Sequence, residues 1–144
     1  MHFKLAVLPG DGIGPEIMAE AIKVLEVLGP KYGHSFEFHY GLVGGAAIDA
    51  EGVALSDATT KMCKKCDATL LGAVGGPKWD DPLAKGRPED GLLLLRKELG
   101  LFANIRPVIT FPSLVNHTNL KPEVVDGVDL IFVDSDGDSG SLIP

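Results

Sequence analysis

Short apolar segments alternate with amphipathic segments along this chain, and the alternation limits the folds it can adopt. Residues 3–8 (FKLAVL) are predicted to form a buried strand, because they are a short apolar run that stops at a Pro-Gly pair. Apolar residues recur at helical spacing across residues 15–28, and Gly29-Pro30 is predicted to end that helix. Residues 35–40 then alternate as a strand does. Strands that alternate with helices indicate an α/β fold with several parallel strands.

Further elements are predicted in the rest of the chain. Ser56 is expected to cap a short helix that reaches about Lys65. The other predictions are a Gly/Ala-rich connection at residues 41–52, a strand at 68–71, a long loop at 72–86, a helix at 88–99, an extended segment at 103–111, and a turn leading into a buried strand at 124–133.

A glycine-rich turn, Gly10-x-Gly12-x-Gly14, follows the first predicted strand. It is not the dinucleotide fingerprint G-x-G-x-x-G, because Pro15 stands where the third glycine belongs. It is not a P-loop either, since no Gly-Lys-Ser/Thr follows. Two interpretations stay open: a tight strand-to-helix turn, or a turn on the rim of a ligand cleft near a helix N-terminus.

The most informative stretch is residues 71–107, which combines a long Gly/Pro-rich loop with two arginines. Loops of this length in compact domains are usually functional or disordered, and the only tryptophan, Trp79, lies in it. Arg96 and Arg106 follow, and an arginine fork binds a carboxylate with two hydrogen bonds. The stretch is therefore expected to bind a ligand that carries carboxylates.

Four residues after the loop share one face of the predicted helix: Glu89, Leu92, Leu93 and Arg96. Such a face would offer an acid, an apolar patch and a cation to one ligand. The alternative is a helix whose apolar residues simply face the core and whose charges lie at its ends.

Composition excludes several classes of partner. The 144 residues carry a net charge of −7 at pH 7 and no Lys/Arg cluster, which argues against binding nucleic acid or an anionic membrane surface. No apolar run is long enough to span a membrane, and no signal peptide is recognised at the N-terminus. The two cysteines, Cys63 and Cys66, lack a second ligand pair and are expected to be structural. These features predict a cytoplasmic protein.

Four segments resemble the isocitrate–isopropylmalate dehydrogenase family of β-decarboxylating dehydrogenases. They are LPGDGIGPEI (8–17), DATLLGAVGGPKWD (67–80), RPEDGLLLLRKELGLFANIRPV (87–108) and LKPEVVDGVDLIFV (120–133). The resemblance covers residues 3–133 and is most specific in the central stretch. It implies a non-Rossmann α/β fold that is incomplete in this chain, with the cofactor-binding domain at residues 1–105 and the start of a second domain at 106–133.

The resemblance also implies a chemistry and a set of site residues. Members of the family oxidise a malate-type 2-hydroxy acid with NAD and Mg²⁺ or Mn²⁺, release carbon dioxide, and are homodimers. By resemblance, Arg96 and Arg106 would hold the substrate carboxylates, and Leu92 and Leu93 would form a pocket for an isopropyl group. The cofactor would lie along Gly75, Gly76, Pro77, Lys78, Trp79, Asp80, Asp81, Pro82, Leu83, Ala84, Lys85, Gly86, Arg87, Pro88 and Glu89.

The resemblance ends after Val133, where the family continues with an Arg-Glu-Leu-Thr-Gly-Gly segment and a catalytic tyrosine. Residues 134–144 are expected to be a disordered tail outside the family pattern. No catalytic residue or metal ligand is assigned in this chain, and the chain alone is expected to be inactive. The alternatives are a non-catalytic nucleotide- or carboxylate-binding fragment, an interaction fragment, or a related tartrate-, homoisocitrate- or isocitrate-type dehydrogenase.

Overall fold

A computed structural model describes residues 1–81 and 86–135. Two compact units make up the chain, Met1–Gly100 and Leu101–Pro144. The strands are β1 (His2–Gly10), β2 (Ser35–Tyr40), β3 (Ala68–Ala73), β4 (Ala103–Ile109) and β5 (Asp129–Ser135). The α-helices are α1 (Gly14–Lys31), α2 (Gly45–Glu51), α3 (Asp57–Cys63), α4 (Pro88–Glu98) and α5 (Pro122–Val125), with 3₁₀ turns at Pro77–Trp79 and Pro112–His117.

The first unit is built on a parallel sheet with the order β2-β1-β3. β1 is the middle strand: its first part, residues 2–7, pairs with β2, and its last part, from residue 5 to residue 10, pairs with β3. Val7, for example, faces Tyr40 on one side and Leu70 on the other. Four consecutive residues of β1, Leu5 to Leu8, are buried. A continuous apolar run of this kind is typical of a parallel strand covered on both faces, which confirms the predicted α/β fold.

The core of this unit lies on the face of the sheet that carries α3 and α4. It joins Ala6 and Leu8 of β1 to Cys63 of α3 and Leu95 of α4, with Val43 and Leu55 from the segments between elements. Side chains alternate across a strand, so Leu5 and Val7 point to the opposite face, where α1 packs on the sheet. Helices therefore cover both faces.

One predicted helix end is wrong, and one helix was not predicted. α1 does not end at Gly29-Pro30 but continues to Lys31, because a proline in the last turn removes only one donor and the Tyr32 N–H still bonds to the Leu28 oxygen at 3.0 Å. The Gly/Ala-rich segment 41–52 is not an irregular connection, since it contains α2. By contrast, the predicted Ser56 cap is confirmed, with its hydroxyl accepting from the Thr59 N–H at 3.4 Å.

The second unit contains an antiparallel pair, β4 with β5, in which Ala103 faces Ser135 and Ile109 faces Asp129. The predicted strand near residue 133 is present, but the prediction that it is buried is wrong: Leu130, Ile131, Phe132 and Val133 are all exposed. A strand is buried only when other elements cover its faces, and an apolar sequence does not show whether they do. β5 includes Asp134 and Ser135, and residues 136–144 lie outside the described part of the chain.

Among the described residues, no helix combines the length and apolar character that crossing a membrane would need.

Candidate functional site

The glycine-rich turn after β1 brings three backbone segments into close contact. A Cβ added at Gly10 would overlap the Ala73 carbonyl oxygen, and one added at Gly14 would overlap the Pro9 oxygen. Gly10 also has φ +75°, a conformation that glycine adopts without strain. The Asp11 N–H donates to the Ala73 oxygen at 2.6 Å. The glycines thus form a tight turn joined to the end of β3, directly before the predicted cofactor loop.

Helix α2 forms a platform for the first half of that loop. The indole of Trp79 lies so close over Gly45 that a Cβ there would overlap the ring. At the other end of α2, the Asp49 carboxylate accepts from the Lys78 ammonium at 2.5 Å and from the Trp79 indole N–H at 3.3 Å. The Lys78 ammonium is also 5.2 Å from the Trp79 ring centroid, a cation–π distance. The loop is therefore docked on α2 by one stacking contact and one carboxylate.

The docked loop lowers the pKa of the Asp49 carboxyl. The hydrogen bond from Lys78 has the largest effect and the hydrogen bond from Trp79 a smaller one, and together they hold the pKa of Asp49 below its ordinary value of 3.8. A depressed pKa means that the docked loop favours the ionised carboxylate. The contribution of this contact is therefore fully present above the ordinary pKa and disappears as the pH falls through the lowered one.

We expect the emission of Trp79 to report this titration, since Trp79 is the only tryptophan. Emission should stay constant down to about pH 4 and shift to the red below it, as protonation of Asp49 releases the indole to water. Asp49→Asn should show the released spectrum already at pH 7. A transition of equal size and midpoint in Asp49→Asn would assign it to another group.

The second half of the loop leads into α4, whose start is held by a local cap. The Arg87 N–H donates to the Asp90 carboxylate at 2.7 Å, and Pro88 occupies the first turn, where no N–H is needed. Glu89 is the next residue, and its carboxylate lies against Gly75, within 2.6 Å of where a Cβ would stand. The two ends of the predicted cofactor segment, Gly75 and Glu89, therefore meet.

Helix α4 presents different residues to the core and to the outside. Pro88, Gly91 and Leu95 are buried, and Gly91 packs against the Ala54 backbone. The four predicted site residues occupy a neighbouring face: Glu89 and Leu93 are exposed, and Leu92 and Arg96 are half-buried. With 59% of Leu93 accessible, this side chain does not serve the core. The four residues therefore lie outside the core of this unit, and their role in ligand binding stays a prediction.

Arg106 lies on β4 in the second unit and is more than half exposed. Its Nε is 3.4 Å from the Asp134 carboxylate, which lies on the adjacent strand. When the Asn104 amide is oriented with its oxygen towards the guanidinium, it accepts from Nε at 3.0 Å and from Nη2 at 2.8 Å. Exposed ion pairs contribute at most about 1 kcal/mol, so a ligand carboxylate could replace Asp134 at this arginine.

The predicted site residues are thus distributed over both units. The loop from Gly75 to Asp81 and the face Glu89, Leu92, Leu93 and Arg96 belong to the first unit, and Arg106 belongs to the second. Pro82, Leu83, Ala84 and Lys85 lie outside the described residues. Gly86, Arg87 and Pro88 connect to the start of α4.

Other candidate groups lie away from this site. Cys63 and Cys66 are free thiols, and burial raises the pKa of both, which favours the structural role predicted for them. A cavity of about 330 Å³ lies beside α3 and contains none of the predicted site residues; it is lined by Lys4, His39, Ala58, Lys61, Met62, Lys65 and Cys66. Within residues 1–81 and 86–135, no group of three or more His, Cys, Asp or Glu side chains is placed to hold a metal ion.

Sequence reasoning did not identify Asp11, Gly45 or Asp49, all of which contact the loop or its platform. A usable signal existed for α2, because residues 46–51 (AAIDAE) are mostly good helix formers. No local signal connects Asp49 with Trp79, since the two are separated by 30 residues.

Comparison with known proteins is consistent with this geometry. Residues 4–136 match the sequence model described as isocitrate/isopropylmalate dehydrogenase. The 3-isopropylmalate dehydrogenase of Dehalococcoides mccartyi is 64% identical over 133 residues, which are 92% of this chain and 36% of that protein. The 3-isopropylmalate dehydrogenase of Bacillus caldotenax is 54% identical over 132 residues, again 92% of this chain and 36% of the relative.

Solved structures agree with the sequence relatives. The isocitrate dehydrogenase of Methylococcus capsulatus superimposes with a TM-score of 0.72 at 30% identity, over 94% of this chain and 35% of that one. A β-decarboxylating dehydrogenase of Thermococcus kodakarensis gives a TM-score of 0.64 at 28% identity, over 92% and 33%. The chain spans about a third of the length of these relatives. It belongs to the isocitrate/isopropylmalate dehydrogenase family.

Proposed function

We propose that this chain supplies the cofactor loop and part of the substrate site of an NAD-dependent 3-isopropylmalate dehydrogenase of leucine biosynthesis. The proposal assigns cofactor binding to the first unit and begins a second domain near residue 106. The observation that carries it is the outer face of α4. Glu89, Leu92, Leu93 and Arg96 are turned away from the residues that build the core, and Glu89 meets the start of the loop at Gly75.

The cofactor segment runs from Gly75 to Glu89 in this proposal. Gly75 has φ +101° and the Glu89 carboxylate beside it, so a larger residue would fill the space where the two ends of the segment meet. Glu89 is assigned to the ribose next to the nicotinamide, because a carboxylate accepts hydrogen bonds from hydroxyl groups. NAD held along this segment would supply the acceptor for the hydride that leaves the hydroxyl-bearing carbon of the substrate.

The substrate residues are Arg96 and Arg106, which bind carboxylates, and Leu92 and Leu93, which contact the alkyl group. Fixing the two carboxylates orients the hydroxyl-bearing carbon, and correct orientation alone lowers the barrier to reaction. Two leucines suit an isopropyl group. They disfavour isocitrate, because a third carboxylate placed against them would lose its hydration without gaining a partner. Tartrate lacks the alkyl group that this patch would cover.

Three further features belong to the proposal. A divalent cation, Mg²⁺ or Mn²⁺, is part of the assigned activity, but the described residues offer no ligand set for it, so no step is assigned to it here. The active protein is proposed to be a homodimer in the cytoplasm, without nucleic-acid or membrane partners. The acidic net charge of −7 supports the last point.

A hybrid enzyme tests the proposal. In it, the 133 residues of the Dehalococcoides mccartyi relative that match this chain are replaced by those of this chain. With NAD, Mg²⁺ and 3-isopropylmalate, the hybrid enzyme should form NADH and carbon dioxide in equal amounts. The unaltered relative is the positive control. A folded hybrid that binds NAD but forms no NADH would overturn the proposed activity and favour a non-catalytic binding role.

A further inference from the structure

Asp11 lies in the turn after β1 and is one of the most buried charged residues among those the structure describes, with 4% of its surface accessible. A carboxylate this deeply buried is costly unless hydrogen bonds replace its water. Asp11 has three such bonds, all from backbone N–H groups. Its Oδ2 accepts from Gly45 at 2.7 Å and from Gly75 at 2.9 Å, and its Oδ1 accepts from Ala46 at 2.7 Å.

These three donors belong to two segments that border the proposed cofactor loop. Gly45 and Ala46 form the first turn of α2, where N–H groups lack partners within the helix and attract an anion. Gly75 is the first residue of the proposed cofactor segment, which runs to Glu89. A single carboxylate, 34 and 64 residues away in sequence, therefore joins the platform of the loop to its starting point.

The neighbouring glycines allow the carboxylate to reach these donors. Gly44 has φ +75°, and a Cβ there would lie 2.5 Å from the Asp11 Oδ2. A side chain at Gly45 would overlap the Trp79 ring, and a side chain at Gly75 would overlap the Glu89 carboxylate. The Asp11 N–H is itself bonded to the end of β3. β1 and β3 thus fix the position of Asp11. The Asp11 carboxylate in turn fixes the start of α2 and Gly75 relative to these strands.

We infer that Asp11 is a positioning residue for the cofactor: its carboxylate fixes Gly75 and the first turn of α2, and through them places Glu89 and Trp79. The expected effect of Asp11 on NAD binding rests on the proposed function, whereas its expected effect on the position of the loop does not. Asparagine at position 11 has one acceptor oxygen and one NH₂ group, and so it cannot accept from all three N–H donors. In whichever orientation it adopts, at least one donor faces another donor.

The first test uses the chain itself and no cofactor. Asp11→Asn should shift the Trp79 emission to the red, towards that of a solvated indole, while circular dichroism keeps its wild-type shape. Ser56→Ala is the matched control, because it removes the α3 cap, whose hydrogen bonds are to Thr59 and Thr60 of α3. It should lower the denaturation midpoint without moving the emission. An Asp11→Asn spectrum identical to that of wild type would overturn the inference.

A second measurement needs no variant and covers the case in which Asp11→Asn does not fold. At constant neutral pH, the amide protons of Gly45, Ala46 and Gly75 should exchange with solvent deuterium much more slowly than those of an unfolded chain, because each donates to the Asp11 carboxylate. Exchange of all three amides at the rates of an unfolded chain would contradict the inference.

The third test uses the hybrid enzyme and separates this inference from the proposed function. Asp11→Asn should raise the KM for NAD by about 10-fold to 150-fold, the range expected for a lost charge-assisted hydrogen bond, with a smaller change in kcat. Ser56→Ala should leave the KM for NAD unchanged. A hybrid with the wild-type segment that does not use NAD refutes the proposed function. A hybrid that uses NAD with the same KM in Asp11→Asn refutes the role of Asp11.

Discussion

Arg96→Lys should lower kcat/KM for 3-isopropylmalate in the hybrid enzyme by about 100-fold, or about 3 kcal/mol of transition-state stabilisation. Arg96 is half-buried on the outer face of α4, in line with Leu92 and Leu93. The helix that carries it is fixed at its start by the Asp90 cap and on its other side by Leu95. Lysine keeps the charge but not the planar pair of donors, so it cannot hold a carboxylate in one orientation.

Lys97→Ala is the matched control, since it removes an exposed cation from the next position of the same helix. We expect it to change kcat/KM by less than about 2-fold, as remote surface substitutions usually do. Both variants are measured at saturating NAD while 3-isopropylmalate is varied. Equal, small effects of the two substitutions would remove Arg96 from the substrate site.

Gly91→Ala should destabilise the chain by about 2 kcal/mol, although alanine is the better helix former by about 1 kcal/mol. A Cβ at Gly91 would overlap the Ala54 carbonyl oxygen and would lie 3.0 Å from its carbon. That neighbour is backbone in the segment before α3, so it cannot move aside as a flexible side chain does. The contact keeps α4 close enough for Leu95 to reach the core.

Urea unfolding followed by circular dichroism measures this effect. The midpoint should fall for Gly91→Ala and stay within error for Lys97→Ala, whose side chain projects into water. A rise in the midpoint would mean that helix propensity dominates and that α4 is not held tightly against residue 54. The position of the outer face relative to the loop would then need another explanation.

The parts of the fold that local chemistry determines were predictable from the sequence. β1 is a short apolar run, the Ser56 cap follows from a hydroxyl before a helix, and α4 begins at a proline followed by two acids. Glu89, Leu92, Leu93 and Arg96 were also predictable as residues of one face of α4, because helical spacing places them together. The sequence did not predict which face of α4 meets the core, since the deciding contact is that of Gly91 with the Ala54 carbonyl, 37 residues earlier in the chain.

The parts that depend on distant partners were not predictable. α2 was missed because it starts at a Gly-Gly pair, Gly44 and Gly45, and the contacts that hold this start, from the Asp11 carboxylate and the Trp79 ring to Gly45, come from distant residues. The burial of β5 was predicted wrongly for the opposite reason: its sequence is apolar, but few elements of its own unit cover it. A residue such as Asp11 has no local pattern at all, because its partners are 34 to 64 residues away.

We expect the outer face of α4 (Glu89, Leu92, Leu93 and Arg96) to select an alkyl-substituted malate. The most direct measurement is the ratio of kcat/KM for 3-isopropylmalate to that for isocitrate, determined with the hybrid enzyme at equal NAD and Mg²⁺. With Leu92 and Leu93 beside the substrate, this ratio should be at least about 100, because an apolar patch strands a third carboxylate without a partner. A ratio at or below one would contradict the assignment of these leucines and of the substrate.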